Sequence, residues 1–285
     1  MQFLICGCVK MVKILKHISR IKDDFDCVIC GTNGVISDGK NIFPEAADAL
    51  HRLYLDGKKI VLATNYGIRV RELFDFLHKV HFPVHIFHGL ITAGEIAHYQ
   101  LKNRNDLGQF YFPLVQNDNG LMAGLDYKKA DSIVFADFVL AETTANSFDY
   151  NASMQILEQA LNLKLPMVCV GNNTMMMSPD GVQNSVGSLA EQYALMGGKI
   201  ITFGKPDIRI ARYLTEQLKS ISPERCLVIG DNMATDMKMG INFKAQTLLI
   251  CSGVHQLKKD DTKKLDDLTQ NFGFETDYAM ETLQW

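Results

Sequence analysis

The chain has 285 residues, 47% of them hydrophobic and 21% charged, with a formal net charge of −3. That is the makeup of a globular protein long enough to bury a large core. The slightly acidic balance, with a pI of about 6.2, excludes a general electrostatic attraction to nucleic acid or to an acidic membrane. No apolar run approaches the roughly 20 residues that a bilayer crossing needs, so neither nucleic acid nor membrane is an expected partner.

The chain starts "MQFLICGCVKMVKILKHISR". A signal peptide carries its positive charge ahead of its apolar stretch, and here the lysines and arginine follow a short stretch broken by Gly7. The segment reads as a non-secreted amphipathic lead-in with a second plausible start at Met11, which makes the cytoplasm the expected compartment. No role is read for the first ten residues. The cysteines (Cys6, Cys8, Cys27, Cys30, Cys169, Cys226 and Cys251) are odd in number and scattered through apolar segments. Cys27 and Cys30 have C-x-x-C spacing, but on a strand they face opposite ways, so buried thiols in a reducing compartment are expected.

Strand and helix patterns then alternate, which predicts an α/β fold with a parallel sheet. Short apolar, β-branched runs at Asp26–Gly31, Lys59–Thr64, Arg225–Gly230 and Gln246–Cys251 read as strands covered on both faces. "FPEAADALHRLYLDG" reads as a helix, with Pro44 in its first turn and Gly57 as its stop. "GIRVRELFDFLHKV" and "DIRIARYLTEQLKS" are likewise amphipathic. In the middle, "SIVFADF" and "LPMVCVGN" read as strands and "SMQILEQALNL" as a helix. This second set interrupts the first, so a domain inserted over residues 84–198 is expected, with residues 1–83 and 199–285 forming a discontinuous core. "TMMM" reads as flexible apolar packing or the lining of a pocket.

Four stretches put polar groups just beyond strand ends, where open α/β sheets bind ligands. "DCVICGTNGV" runs from a strand into a Gly/Thr/Asn/Gly turn. "VLATN" ends in Thr64 and Asn65. "FGKPD" sets Lys205 at a tight helix entrance, and "GDNMATD" offers Asp231 and Asp236. Each has an ordinary reading by itself: helix caps for the threonine, asparagine and aspartates, a solvated lysine for Lys205. Their joint order and spacing carry more weight than any one of them.

With these motifs the chain resembles the haloacid dehalogenase-like superfamily, in particular its NagD-type, class IIA branch of phosphatase-like proteins, over about residues 18–255. "GVISDGKNIFPEAADALHRLYLDGKKIVLATN" resembles that branch's opening, and "GLITAGEIAHYQL" the first helix after the second motif. The resemblance implies a Rossmann-like parallel-sheet core with an inserted α/β cap of the C2 type. It also implies a covalent route in which an aspartate at the first strand's end attacks phosphorus, and a second aspartate two residues on acts as acid and base. Thr64, Asn65 and Lys205, with Thr32 and the backbone around it, would hold a phosphoryl group. Asp231 and Asp236 would hold Mg²⁺. But the nucleophile position falls on Gly31 and the acid/base position on Asn33. On the substrate side of the cap, Asn173 stands where relatives carry an acid.

No neighbour replaces the missing carboxylate convincingly. Cys30 faces the other way, Asp26 lies at the wrong end of the strand, Thr32 is out of phase and Asp38 sits beyond the turn. Mg²⁺ binding is therefore expected to be weak. The leading reading is a catalytically impaired relative that binds a phosphorylated small molecule or inorganic anion. The alternatives are an active Mg²⁺-dependent phosphatase with an unrecognised nucleophile, and a structural or interaction protein with a relic pocket. Self-association is left open.

Overall fold

Strand-forming segments here are short, β-branched and buried on both faces, the pattern that places a strand between helical layers. A computed structural model describes residues 12–115, 120–144, 147–207, 209–211, 213, 221–258 and 260–285. Cys6, Cys8 and Met11 lie outside these residues, as does most of the helix read over 207–220.

Two parallel sheets organise the chain. The first has seven strands: β1 (Lys13–Ile14), β2 (Cys27–Cys30), β3 (Lys59–Thr64), β4 (Gly89–Thr92), β12 (Cys226–Gly230), β13 (Gln246–Ile250) and β14 (Tyr278–Met280). Their order is β1-β14-β13-β12-β2-β3-β4. The second has five, in the order β11-β8-β7-β5-β6: β5 (Phe110–Pro113), β6 (Lys128–Lys129), β7 (Phe138–Glu142), β8 (Met167–Val170) and β11 (Ile200–Phe203). An antiparallel hairpin of β9 (Met175–Ser178) and β10 (Gly181–Asn184) follows β8.

Helices α1 (Pro44–Leu55) and α2 (Val70–Lys79) connect β2 to β3 and β3 to β4. Pro44 stands in the first turn of α1, and Gly57 just past its end has φ 81°, a conformation that favours glycine. Helix α3 (Ala93–Lys102) starts where β4 ends, with the Thr92 hydroxyl accepting the Glu95 N–H. Helices α4 (Tyr150–Asn162) and α5 (Val186–Leu195) pack on the second sheet, and α6 (Lys238–Phe243) and α7 (Thr262–Phe272) belong to the first.

The first sheet separates two cores. Cys30 packs with Val28, Leu50 and Leu62 on one side, while Cys27 packs with Ile29, Val61 and Val228 on the other. The strand period thus divides the C-x-x-C pair as expected. Three readings are corrected. Ile133–Phe135 is a 3₁₀ turn rather than part of a strand, and β7 begins only at Phe138. Asp137 sets this start, because its carboxylate accepts the N–H groups of Gln109 and Phe110. "GLITAGEIAHYQL" is a strand and then a helix, its first four residues completing the seven-stranded sheet. The chain leaves that sheet after Thr92, not at 84, because β4 pairs with β3. It leaves the second sheet after Phe203, not at 198, because β11 pairs with β8. Among the described residues no helix is long and apolar enough to cross a membrane.

Candidate functional site

Parallel pairing sets the register of the site. Cys30 lies beside Leu62 of β3 and Ile229 of β12, so Gly31, Thr64 and Asp231 leave their strands at one edge of the sheet. Lys205 arrives there from β11 through Gly204. The motif residues Thr32, Asn33, Thr64, Asn65, Asn173, Lys205, Asp231 and Asp236 all line one polar cavity of about 20 Å³. A single water needs about 10–15 Å³, so the space would take about one water. Wider clefts of about 410 Å³ and 580 Å³ elsewhere contain none of these residues.

The charged members are fixed to one another. Lys205 Nζ donates to Asp236 Oδ1 at 2.6 Å and to the Ala63 carbonyl at 2.9 Å, which leaves one of the three ammonium donors for the cavity. Asp231 Oδ2 accepts the Val254 N–H at 3.0 Å. Glycines press on it from two directions: a Cβ on Gly34 would lie 1.8 Å from its Oδ2, and one on Gly253 would lie 2.2 Å from its Cβ. Burial, with the negative Asp236 beside it, pushes the Asp231 carboxyl up to about 7. His255 accepts the Met233 N–H through Nε2, and burial pushes it down to about 4.

The polar members divide into those with donors left over and those without. Thr64 Oγ1 accepts from Thr32 Oγ1 at 2.7 Å and from the Tyr66 N–H at 3.3 Å. Its own O–H has no acceptor among the described residues. The Thr32 and Asn33 N–H groups likewise have none, whereas the Gly34 N–H goes to Ser37 O and is not available. Asn65 is fully engaged. Its Oδ1 accepts the Lys205 N–H, and its Nδ2 donates to Asn173 Oδ1 at 2.7 Å and to Lys205 O at 3.2 Å. Asn65 therefore holds the lysine and bridges the two sheets, a different task from direct phosphate contact. Sequence reasoning missed Tyr66, whose half-buried hydroxyl accepts from Asn33 Nδ2 at 3.1 Å. It adjoins Asn65 in sequence, which was the available signal.

Gly31 is not forced by the backbone, since its φ lies outside the left-handed region. A Cβ there would meet Asp236 Oδ1, Ile229 O and Val35 Cγ2 at 3.4–3.5 Å, ordinary contact distances. The side chains of Cys30, Asp26 and Asp38 are each engaged. The Cys30 thiol, pushed up by burial, donates to Gly31 O. Asp26 pairs with Arg225 at the strand's far end. Asp38 caps its own turn through the Lys40 and Asn41 N–H groups. For Mg²⁺ the site offers two carboxylates, Asp231 and Asp236. Among the described residues no three His, Cys, Asp or Glu side chains are grouped to hold a metal, and Asp236 is already paired with Lys205.

Comparison with known proteins agrees with this geometry. The family described as haloacid dehalogenase-like hydrolase matches residues 28–127, and the one described as HAD-hydrolase-like matches 202–279. The ribonucleotide monophosphatase NagD of Escherichia coli is 26% identical over 82% of this chain and 91% of its own. Chronophin of Rattus norvegicus is 26% identical over 82% of this chain and 77% of its own. A haloacid dehalogenase-like hydrolase of Brucella suis superposes with a TM-score of 0.81 at 20% identity, covering 94% of this chain and 99% of that one. The chain belongs to the haloacid dehalogenase-like proteins. Within them it is a phosphatase-like member of the NagD type, class IIA.

Proposed function

We propose that this protein binds a phosphoryl group or inorganic anion and does not hydrolyse phosphate esters by the covalent route. One observation carries the reading: position 31 has room for a Cβ and has no carboxylate, while the donors around it remain. Those donors are the Thr32 and Asn33 N–H groups, the Thr64 O–H and the third Lys205 N–H. Charge-assisted bonds to an anion are about twice as strong as neutral ones, and glycine at 31 removes a negative charge that would repel it.

In this reading the five-stranded sheet and hairpin form a cap inserted into a core made from both chain ends. Mg²⁺ would bind weakly at Asp231 and Asp236, and only with the anion's oxygens completing its shell. We assign the protein to the cytoplasm, where the free thiols of Cys27, Cys30, Cys169, Cys226 and Cys251 would stay reduced.

The test is thermal unfolding of the full chain with phosphate, sulfate or a phosphorylated metabolite at millimolar concentration. Ligand at 100 times its Kd stabilises by about 2.7 kcal/mol, a rise of roughly 5 °C or more for a protein of this size. Lys205→Ala is expected to erase the rise. No shift in wild type would leave the pocket a relic. Turnover of a generic phosphate ester is expected at background, since loss of a covalent nucleophile costs on the order of 10⁶. Turnover that Lys205→Ala abolishes would refute the silenced reading.

A further inference from the structure

We infer that Asn33 latches the hairpin over the pocket and thereby selects inorganic phosphate over organic phosphate esters. The selectivity rests on the anion-binding reading above. The latch rests on geometry alone.

Asn33 lies in the turn after β2, and Met177 lies in β9, distant in sequence. Asn33 Oδ1 accepts the Met177 N–H at 2.7 Å, and Nδ2 donates to Met177 O at 2.9 Å. The same Nδ2 donates its other proton to Tyr66 Oη at 3.1 Å. A side-chain amide pairs with a peptide group as one strand pairs with another, offering one donor and one acceptor to the matching pair. A carboxylate at this position has acceptors only and would face the Met177 carbonyl without a proton between them. Asparagine is therefore the residue suited to this contact, and it fills both amide donors in making it.

Asn65 supplies a second pin through Asn173. Between the pins the backbones touch: a Cβ on Gly171 would lie 1.8 Å from Asn65 O. Met176, 2% exposed, lines the cavity from the hairpin side. The space left is about 20 Å³. Even phosphate exceeds this space, so the hairpin must yield for it, and a ligand that is nearly all phosphoryl group asks it to yield least. An ester carries an alcohol portion into the space held by Met176 and must keep the latch broken.

Two measurements on the full chain decide this. In ligand-free protein, Asn33→Ala is expected to speed hydrogen exchange at the Met177 N–H about tenfold or more, the factor that goes with losing roughly one hydrogen bond's worth of stability. The Val168 N–H in the second sheet should stay as protected as in wild type. Unchanged exchange at Met177 overturns the latch. If Asn33→Ala does not fold, Asn33→Asp serves, with an acceleration at least as large expected because its second oxygen faces the Met177 carbonyl with no proton between them. In calorimetry, wild type is expected to bind phosphate about tenfold tighter than phenyl phosphate, and the latch variant to lose most of that ratio. Wild type that binds the ester as tightly overturns the selectivity. Binding of neither overturns the anion-binding reading and the selectivity with it, while the exchange result still decides the latch.

Discussion

The turn after β2 and the turn after β12 leave neighbouring parallel strands at the same edge of one sheet, yet they treat acids in opposite ways. The second keeps Asp231 and Asp236, each engaged: Asp236 with the Lys205 ammonium, Asp231 with the Val254 N–H and two close glycines. The first has Gly31, where a Cβ would meet nothing closer than 3.4 Å. An acid whose surroundings are built around it is held by the fold. A position with room and no partner depends on chemistry alone to keep its side chain. The second turn is held as part of the framework.

The sharpest way to break this comparison is Asp236→Ala. It leaves the 4% exposed Lys205 without its counter-charge, and breaking a buried pair from one side costs about 3–5 kcal/mol. Urea unfolding should show that loss, and one below about 1 kcal/mol would mean the pair is not structural. A change in pH separates the two acids further. Asp231 is raised to about 7 from an unfolded value of about 3.9, so the folded form holds a proton that the unfolded form has lost. Its contribution is complete below about pH 4 and disappears as pH rises to 7. In metal-free buffer Asp231→Asn should therefore gain on wild type by up to about 1.4 kcal/mol per pH unit across that window. His255, lowered to about 4 from about 6.5, acts in the opposite sense, its contribution failing as pH falls below 6.5. The wild-type curve should consequently be flatter than that of either Asp231→Asn or His255→Phe.

Gly34→Ala and Gly31→Ala, three residues apart, sharpen the comparison at lower cost. Gly34 has φ 73° and its Cβ would strike Asp231, so strain and overpacking together predict a loss of about 2–4 kcal/mol. Gly31→Ala should change stability by less than about 1 kcal/mol in either direction. Smallest is the metal effect. Gly31→Asp restores a third carboxylate, and Mg²⁺ should then raise the melting temperature by about 2–4 °C, as roughly 1 kcal/mol does. Wild type should respond less. An equal response would mean Mg²⁺ does not use this edge of the sheet.

Much of this was legible from the sequence, for reasons that differ along the chain. Lys59–Thr64 is a strand with the bounds its apolar run suggested, because burial on both faces writes an unmistakable pattern. The convergence of Thr64 and Asp231 followed from their places at the ends of such strands, whereas Lys205 follows β11, a part-buried strand that no such run marks. "SIVFADF" misled because a local apolar run does not reveal that Val134 and Phe135 are 61% and 72% exposed. The pairing of β4 with β3 and of β11 with β8 is a tertiary fact, as is the contact between Asn33 and Met177. Asn33 could be read as an acid missing from its place. That its amide had a different partner could be seen only once the hairpin was folded against it.

The short path from β11 to Lys205 has a mechanical consequence. The strand ends at Phe203, Gly204 takes φ 123°, and Lys205 follows with its N–H held by Asn65 Oδ1 at 2.7 Å. An edge of the second sheet is thus tethered to the ammonium by a single glycine. If that sheet rocks away from the first, either Gly204 turns as a swivel or the charge travels with the sheet. A side chain at 204 would stiffen the swivel and strike Asn65, its Cβ lying 2.6 Å from Oδ1. Gly204 is in this sense the single joint between the second sheet and the ammonium.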